Sequence, residues 1–287
     1  MLKRLLHHIL RIALTLVIGG LLAATLIRFA PGFDTDEQQM DARLSAESVA
    51  AIRAQRAGQH NVLKFYAEFL GSALRGDFGQ SQTLNRPVRE LIAERMPVTF
   101  KLVASGLLVG WSLALMFAVS ATMARIAAWD LAATTVAGLF LCIPSAVLAL
   151  AFVFFRAPGY LALGLMIFAN VFRYWRNLLE KSYAMPHIIT ARAKGLGTMR
   201  VLFCHVVPVS GAQLLAVAGV SVSIALGASI PVEALCGIPG IGQLAWQAAM
   251  GRDLSLLVTL TLLVTTITLL ANTTSDLLGQ AFRTQRA

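Results

Sequence analysis

The chain has 287 residues, of which 57% are hydrophobic and 13% charged, and it carries a formal net charge of +10. Soluble domains carry about 25% charged residues, so this composition excludes an ordinary water-soluble globule and predicts an all-α membrane protein. The positive charge alone would suit a nucleic-acid partner, but its placement along the chain argues against one.

Uncharged apolar runs occupy 12–27, 102–123, 131–155, 157–172, 201–231 (where His205 is the titratable exception) and 254–274. A bilayer crossing needs about 20 apolar residues, so these runs predict about six transmembrane helices. The run at 157–172 is short, but Arg173 and Arg176 can snorkel from its end. Residues 1–30 read as an N-terminal transmembrane helix. Its basic start mimics a cleaved signal peptide, yet the run has the length of a span and Arg11 lies in its flank. Pro31 and Gly32 stop it.

Residues 31–97 mix charges of both signs and read as an external helical segment. Ser45 is a candidate N-cap, Val62–Leu74 has amphipathic spacing, Gly76–Gly79 is a turn, and Val88–Ile92 is a short helix leading to Met96-Pro97. Residues 98–287 read as a transmembrane core. Within it Pro144 interrupts the run 131–155, and only Arg156–Gly159 links that run to the next. Pro186 suits the first turn of a helix, Gly195 and Gly197 suit its C-terminal cap, and Thr198 could cap the helix that follows. The stretch 231–242 is too apolar for an ordinary loop and too rich in Gly and Pro for a straight span. It predicts a re-entrant turn before the last helix, since irregular backbone at membrane depth is tolerated where protein buries it or a cavity lies beside it.

With a cytoplasmic N-terminus, this order of spans puts Lys3, Arg4, Arg11, Arg125, the cluster Arg173–Arg200, Arg283 and Arg286 on the cytoplasmic side, along with the C-terminus. That is the positive-inside pattern. The basicity reports topology in a lipid bilayer, with no nucleic acid implied.

Several chemistries lack their residues. There is no phosphate-binding G-x-x-x-x-G-K-[ST] loop. His7, His8, His60, His187 and His205 have no metal spacing, and Cys142, Cys204 and Cys236 are too scattered for a disulfide or a metal site. No chain of intramembrane acids and histidines suggests a proton relay. No catalytic residue, cofactor or metal is expected. Glu233 stands out as an acid in an apolar turn, and it reads either as a gate or pathway residue or as a hydrogen-bonding acid that holds the turn's shape. The other distinctive stretch is Ile189–Gly197, small-residue-rich and basic between apolar blocks. In a chain with no energy-converting chemistry of its own, it reads as a docking element for another protein.

Landmarks in order along the chain carry a family resemblance. They are Arg28-Phe29-Ala30-Pro31-Gly32, Leu44-Ser45 with the Ile52–Ala57 stretch, Leu74-Arg75-Gly76-Asp77-Phe78-Gly79-Gln80-Ser81, Arg86-Pro87-Val88, and Glu94-Arg95-Met96-Pro97-Val98-Thr99. They continue with Thr190-Ala191-Arg192-Ala193-Lys194-Gly195-Leu196 and its following Pro208, and with Val232-Glu233 before Ile238-Pro239-Gly240-Ile241-Gly242. Together they resemble the permease subunits of ABC importers of the dipeptide, oligopeptide and nickel type.

The resemblance implies a subunit of the bacterial inner membrane that is not itself an enzyme. It implies a second homologous permease as heterodimer partner, two cytoplasmic ATPase subunits and an external substrate-binding protein. It makes Thr190, Ala191, Arg192, Ala193, Lys194, Gly195 and Leu196 the cytoplasmic coupling helix (near 187–197), with small Ala191 and Ala193 allowing close approach of the partner and Arg192 and Lys194 meeting its acceptors. It makes Glu233, Pro239, Gly240 and Gly242 the gate or re-entrant turn. The implied cargo is a peptide or related small solute, nickel included. The chain departs from the pattern at Ile189, where the family has an acid, at Pro186, in the short 156–159 link, and around Cys236-Gly237, where an aromatic is missing. The competing reading is an ATP-independent secondary transporter or channel, which would show intramembrane charges and internal repeats.

Overall fold

The computed structural model describes residues 2–28, 62–73, 75–124 and 126–284. The stop at Pro31-Gly32, the helix from Ser45, the Ile52–Ala57 stretch, Leu74 and Arg125 lie outside them. The helices are α1 (Leu2–Arg28), α2 (Val62–Ala73), α3 (Val88–Ala124), α4 (Ala127–Cys142), α5 (Ser145–Phe154), α6 (Gly159–Tyr183), α7 (Pro186–Ala193) and α8 (Thr198–Val201). A π-helical turn, Leu202–Val206, leads into α9 (Val207–Leu235), followed by α10 (Ile241–Met250) and α11 (Leu254–Thr284). The described residues contain no strand, only an isolated bridge between Gln80 and Pro87.

Three stretches, Val88–Met123, Thr198–Leu235 and Leu254–Ala281, are long and apolar enough to cross a membrane. The pair α4–α5 passes the same test only when taken together, and it is bent by 98°. The chain is thus an all-α membrane protein, and the described residues hold three spans by length and composition, or four if the bent pair counts as one. The apolar part of α1, Ile12–Leu26, is shorter. The expected span 157–172 is the front of α6, whose later turns carry Arg173, Arg176, Glu180 and Lys181.

Two prolines give opposite outcomes. At Ile143-Pro144 the helix ends: Ile143 has φ −83° and ψ 120°, the extended conformation that a following proline imposes. A new helix then starts in another direction. At Pro97 the helix continues, so the short helix expected at Val88–Ile92 is the first part of the 37-residue α3. In a membrane helix, neighbouring groups can satisfy the carbonyl that proline leaves free.

The chain forms two compact units: Met1–Arg95 with Leu244–Ile267, and Met96–Gln243 with Thr268–Ala287. In the first, Ala24, Tyr66, Phe69, Leu254 and Val258 form a buried cluster. The Tyr66 hydroxyl donates to the Leu16 carbonyl at 3.1 Å, and burial pushes its pKa above the ordinary phenol value, so it remains a donor.

In the second unit, α6 is the central helix, with α4, α5 and α9 packed on it. Leu163, Ile167, Phe172 and Leu179 of α6 are almost fully buried. Among lipid chains, burying leucine gains little over leaving it in hydrocarbon, so close packing and hydrogen bonds carry helix association. Gly106 and Gly110 of α3 supply the first: a Cβ on either would come within 2.8 Å of Leu163 or Ile167 side-chain atoms. Paired hydroxyls supply the second. Ser182 of α6 and Ser210 of α9, both buried, lie 3.0 Å apart. Asn272 of α11 donates to Ser223 of α9 at 3.0 Å. Exposed Leu108 and Met116 of α3 and Leu150 and Phe154 of α5 give this unit an apolar exterior that a bilayer covers.

Candidate functional site

The stretch singled out for docking folds as a single short helix with a sharp stop. Pro186 occupies the first turn of α7, where its missing N–H costs little. At the other end the Gly195 N–H donates to the Arg192 carbonyl at 2.9 Å and the Leu196 N–H to the Ala191 carbonyl at 3.3 Å. With Gly195 at φ +76°, this is a Schellman cap, and it needs a residue that tolerates the left-handed region. Gly197, expected in the same cap, instead has φ −61° and is the N-cap of α8, with Thr198, expected as that cap, the first residue of the helix.

The helix has two faces. Ile188 is fully buried and Ala191 nearly so, at 6% exposure, so Ala191 packs inward against its own chain. Ile189, Thr190, Ala193, Lys194 and Gly195 are exposed, and Leu196 is half-buried. The Thr190 hydroxyl donates to the Pro186 carbonyl at 3.0 Å. Arg192 is half-buried, with its guanidinium carbon 4.6 Å from the centre of the Tyr183 ring. Beyond α8 the chain widens into the π-turn Leu202–Val206, just where Pro208 offers no N–H to the Cys204 carbonyl.

The second candidate lies at the end of α9. This helix continues through Pro231 to Leu235, so the irregular stretch is narrower than 231–242 and reduces to Cys236–Gly240. The Ile238 N–H returns to the Glu233 carbonyl at 2.9 Å. Glu233 is fully buried. Its Oε2 accepts from the N–H groups of Gly242 at 2.6 Å and Gln243 at 3.3 Å, and the Thr99 side chain hydrogen-bonds the same carboxylate. Thr99 Oγ1 in turn accepts from the Ile241 N–H at 2.7 Å. The first N–H groups of a helix have no partner within it and carry partial positive charge. Here an acid and a hydroxyl from other helices satisfy those of α10. Glu233 Oε1 has no hydrogen-bond partner among the described residues.

A Cβ on Gly240 would collide with the Glu233 carboxylate and the Thr99 hydroxyl, and one on Gly242 would lie 2.6 Å from the Ile230 backbone. Of the expected turn residues, Glu233, Gly240 and Gly242 therefore come together, while Pro239 is exposed. Sequence reasoning missed Thr99 as a partner of this acid. It also missed α10 and the buried Asp253 that follows it, although an Asp directly before an apolar run is an N-cap signal. Asp253 Oδ1 accepts from the Leu256 N–H at 3.1 Å, and Oδ2 accepts from the Ser81 hydroxyl at 2.6 Å and the Thr83 N–H at 3.1 Å.

Residues 106–285 match the family described as binding-protein-dependent transport system inner membrane component. The chain belongs to this family. As a member it is a multi-pass inner-membrane transport permease, and the resemblance to ABC importer permeases read from its motifs holds. The oligopeptide transport system permease protein OppB of Salmonella typhimurium is 30% identical over 92% of both chains. The protein of the same description from Haemophilus influenzae is 28% identical over 97% of both. A putative peptide transport system permease protein of Brucella suis is 27% identical, covering 73% of this chain and 75% of its own. Among solved structures, the MetNI methionine ABC transporter in inward-facing conformations shares the fold. It has a TM-score of 0.55 and 20% identity, and covers 68% of this permease and 94% of its own chain.

Proposed function

We propose that this permease is the translocation subunit of an ATP-driven importer for peptides or a related small solute, nickel included. Separate cytoplasmic ATPases supply the energy by docking on α7. A second, homologous permease completes the pathway, and an external binding protein delivers the cargo. Both termini are cytoplasmic, and residues 31–97 form an external segment. The observation that carries this reading is α7 itself: a short helix, sharply capped at Gly195, presenting Ile189, Thr190, Ala193 and Lys194 outward. Similarity to oligopeptide permeases supports the cargo class. The Glu233-held turn supports the structural alternative for that acid: its hydrogen bonds fix the turn beside α10.

The test is co-purification and uncoupling. Tagged permease, expressed with its genomic neighbours, is expected to retain ATPase subunits. Gly195→Trp, at φ +76°, should insert normally but abolish transport and permease-stimulated ATP hydrolysis. Full transport by that variant would overturn the assignment of α7.

A further inference from the structure

Within the stretch read as the coupling helix, the structure separates residues that face out from residues that face in. Ile188, Ala191 and Arg192 are three and four residues apart, so they share one side of α7. They are respectively fully buried, nearly buried and half-buried. Ile189 and Ala193, and likewise Thr190 and Lys194, are spaced by four on the exposed side. We infer that Arg192 works inside the chain, its guanidinium stacked on the Tyr183 ring to tie α7 to the end of α6, and that Ile189, Ala193 and Lys194 form the ATPase-facing surface. This rests on the reading of α7 as the docking helix and assigns a positioning role within it.

Two further observations and the chemistry of arginine support this tie between α7 and α6. Tyr183 is the last residue of α6, and only Ala184 and Met185 separate it from α7, so the stack closes a tight corner. An arginine over an aromatic face holds both position and orientation, because the planar guanidinium stacks where an ammonium would not. The preceding residue, Ser182, is the buried partner of Ser210 at 3.0 Å. The end of α6 therefore grips α7 through Tyr183 and α9 through Ser182. A push on α7 reaches α9 through two adjacent residues as well as along the intervening chain.

The experiment uses the whole transporter, permease with its ATPases, in lipid nanodiscs. It has two readouts: the amount of ATPase retained, and the ATP-dependent change in amide hydrogen exchange within α7 and within α9. Tyr183→Phe keeps the ring and should match the native protein in both. Tyr183→Leu and Arg192→Gln should retain the ATPase and the response in α7, while the response in α9 falls about tenfold, the order expected for loss of one stacked cation. Lys194→Glu should instead strip the ATPase. The double variant Tyr183→Leu with Arg192→Gln should be no worse than either single change.

A native α9 response in Arg192→Gln, or loss of ATPase from it as severe as from Lys194→Glu, would overturn this tie. If Tyr183→Leu does not insert, Arg192→Gln with its intact ring decides alone. The underlying docking assignment has its own check: Ala193→Cys should cross-link to the ATPase through a short bifunctional reagent. Absence of that cross-link would sink the assignment of α7 whatever the Tyr183 variants do.

Discussion

Asp253 and Glu233 are both buried acids whose carboxylates meet the first N–H groups of a helix, and they are used differently. Asp253 caps its own helix, α11, and spends both oxygens: Oδ1 on Leu256, Oδ2 on Ser81 and Thr83. Glu233 reaches from α9 to the start of α10 and concentrates its hydrogen bonds on Oε2, with Oε1 unpartnered among the described residues. Asp253 behaves as a staple between a turn and a helix. Glu233 holds a turn while keeping an acceptor in reserve. Burial alone would have made the two acids look alike; the distribution of donors between their oxygens tells them apart.

The largest expected effect that tests this contrast is Asp253→Ala. It removes an N-cap and strands the Ser81 hydroxyl with two N–H groups, so it should cost about 3 kcal/mol or more in unfolding of the detergent-solubilised protein. Gly240→Ala comes next, at about 2 kcal/mol, because the new methyl must displace the Glu233 carboxylate or Thr99. A thermal midpoint within error of the native protein would show that the turn is not packed as described.

The amide substitutions sharpen the contrast further. Asp253→Asn should cost about 1–2 kcal/mol, since one of its two working oxygens becomes a donor. Glu233→Gln should cost less than about 1 kcal/mol, since its carbonyl can keep both α10 N–H groups while the amide nitrogen replaces the unpartnered oxygen. The reverse order in a paired denaturation experiment would break the comparison. The smallest effect belongs to Asp130, a third carboxylate with a different setting. It pairs with Arg176 at 2.6 Å, with side chains 33% and 23% exposed. Asp130→Asn should shift stability by only about 0.5–1 kcal/mol, the range of partly solvated ion pairs.

What was legible in the sequence follows from the physics of each signal. Length and apolarity fix that a helix can cross a membrane, and the runs at 102–123, 201–231 and 254–274 reappear within α3, the α8–α9 stretch and α11. Direction is another matter. Ile143-Pro144 and Met96-Pro97 look alike locally, yet one breaks the chain by 98° and the other lies inside an unbroken helix. The proline supplies the opportunity, and the neighbouring helices decide its use.

The docking stretch shows the same divide. Pro186 and Gly195 announce where α7 starts and stops, because each acts through its own backbone. Which way Ala191 faces is set by the burial of Ile188 beside it, and no local rule contains that. Glu233 was conspicuous as an acid among apolar residues, but its partner Thr99 lies more than a hundred residues earlier, and spacing rules do not reach so far. Gly106 and Gly110 were legible in principle, since two glycines four apart in an apolar run mark a close helix crossing.

The π-turn at Leu202–Val206 has a consequence for helical phase. One residue beyond the α-helical count rotates everything after it by about 100°. The face that α9 turns toward α6, and the meeting of Ser210 with Ser182, are therefore set by a single surplus residue just downstream of α7. Tightening that turn to ordinary α-helix with all its residues kept would point every side chain of α9 a quarter-turn or so away from its present neighbour, whereas deleting one residue of the turn would restore the α-helical count and leave α9 in its present phase.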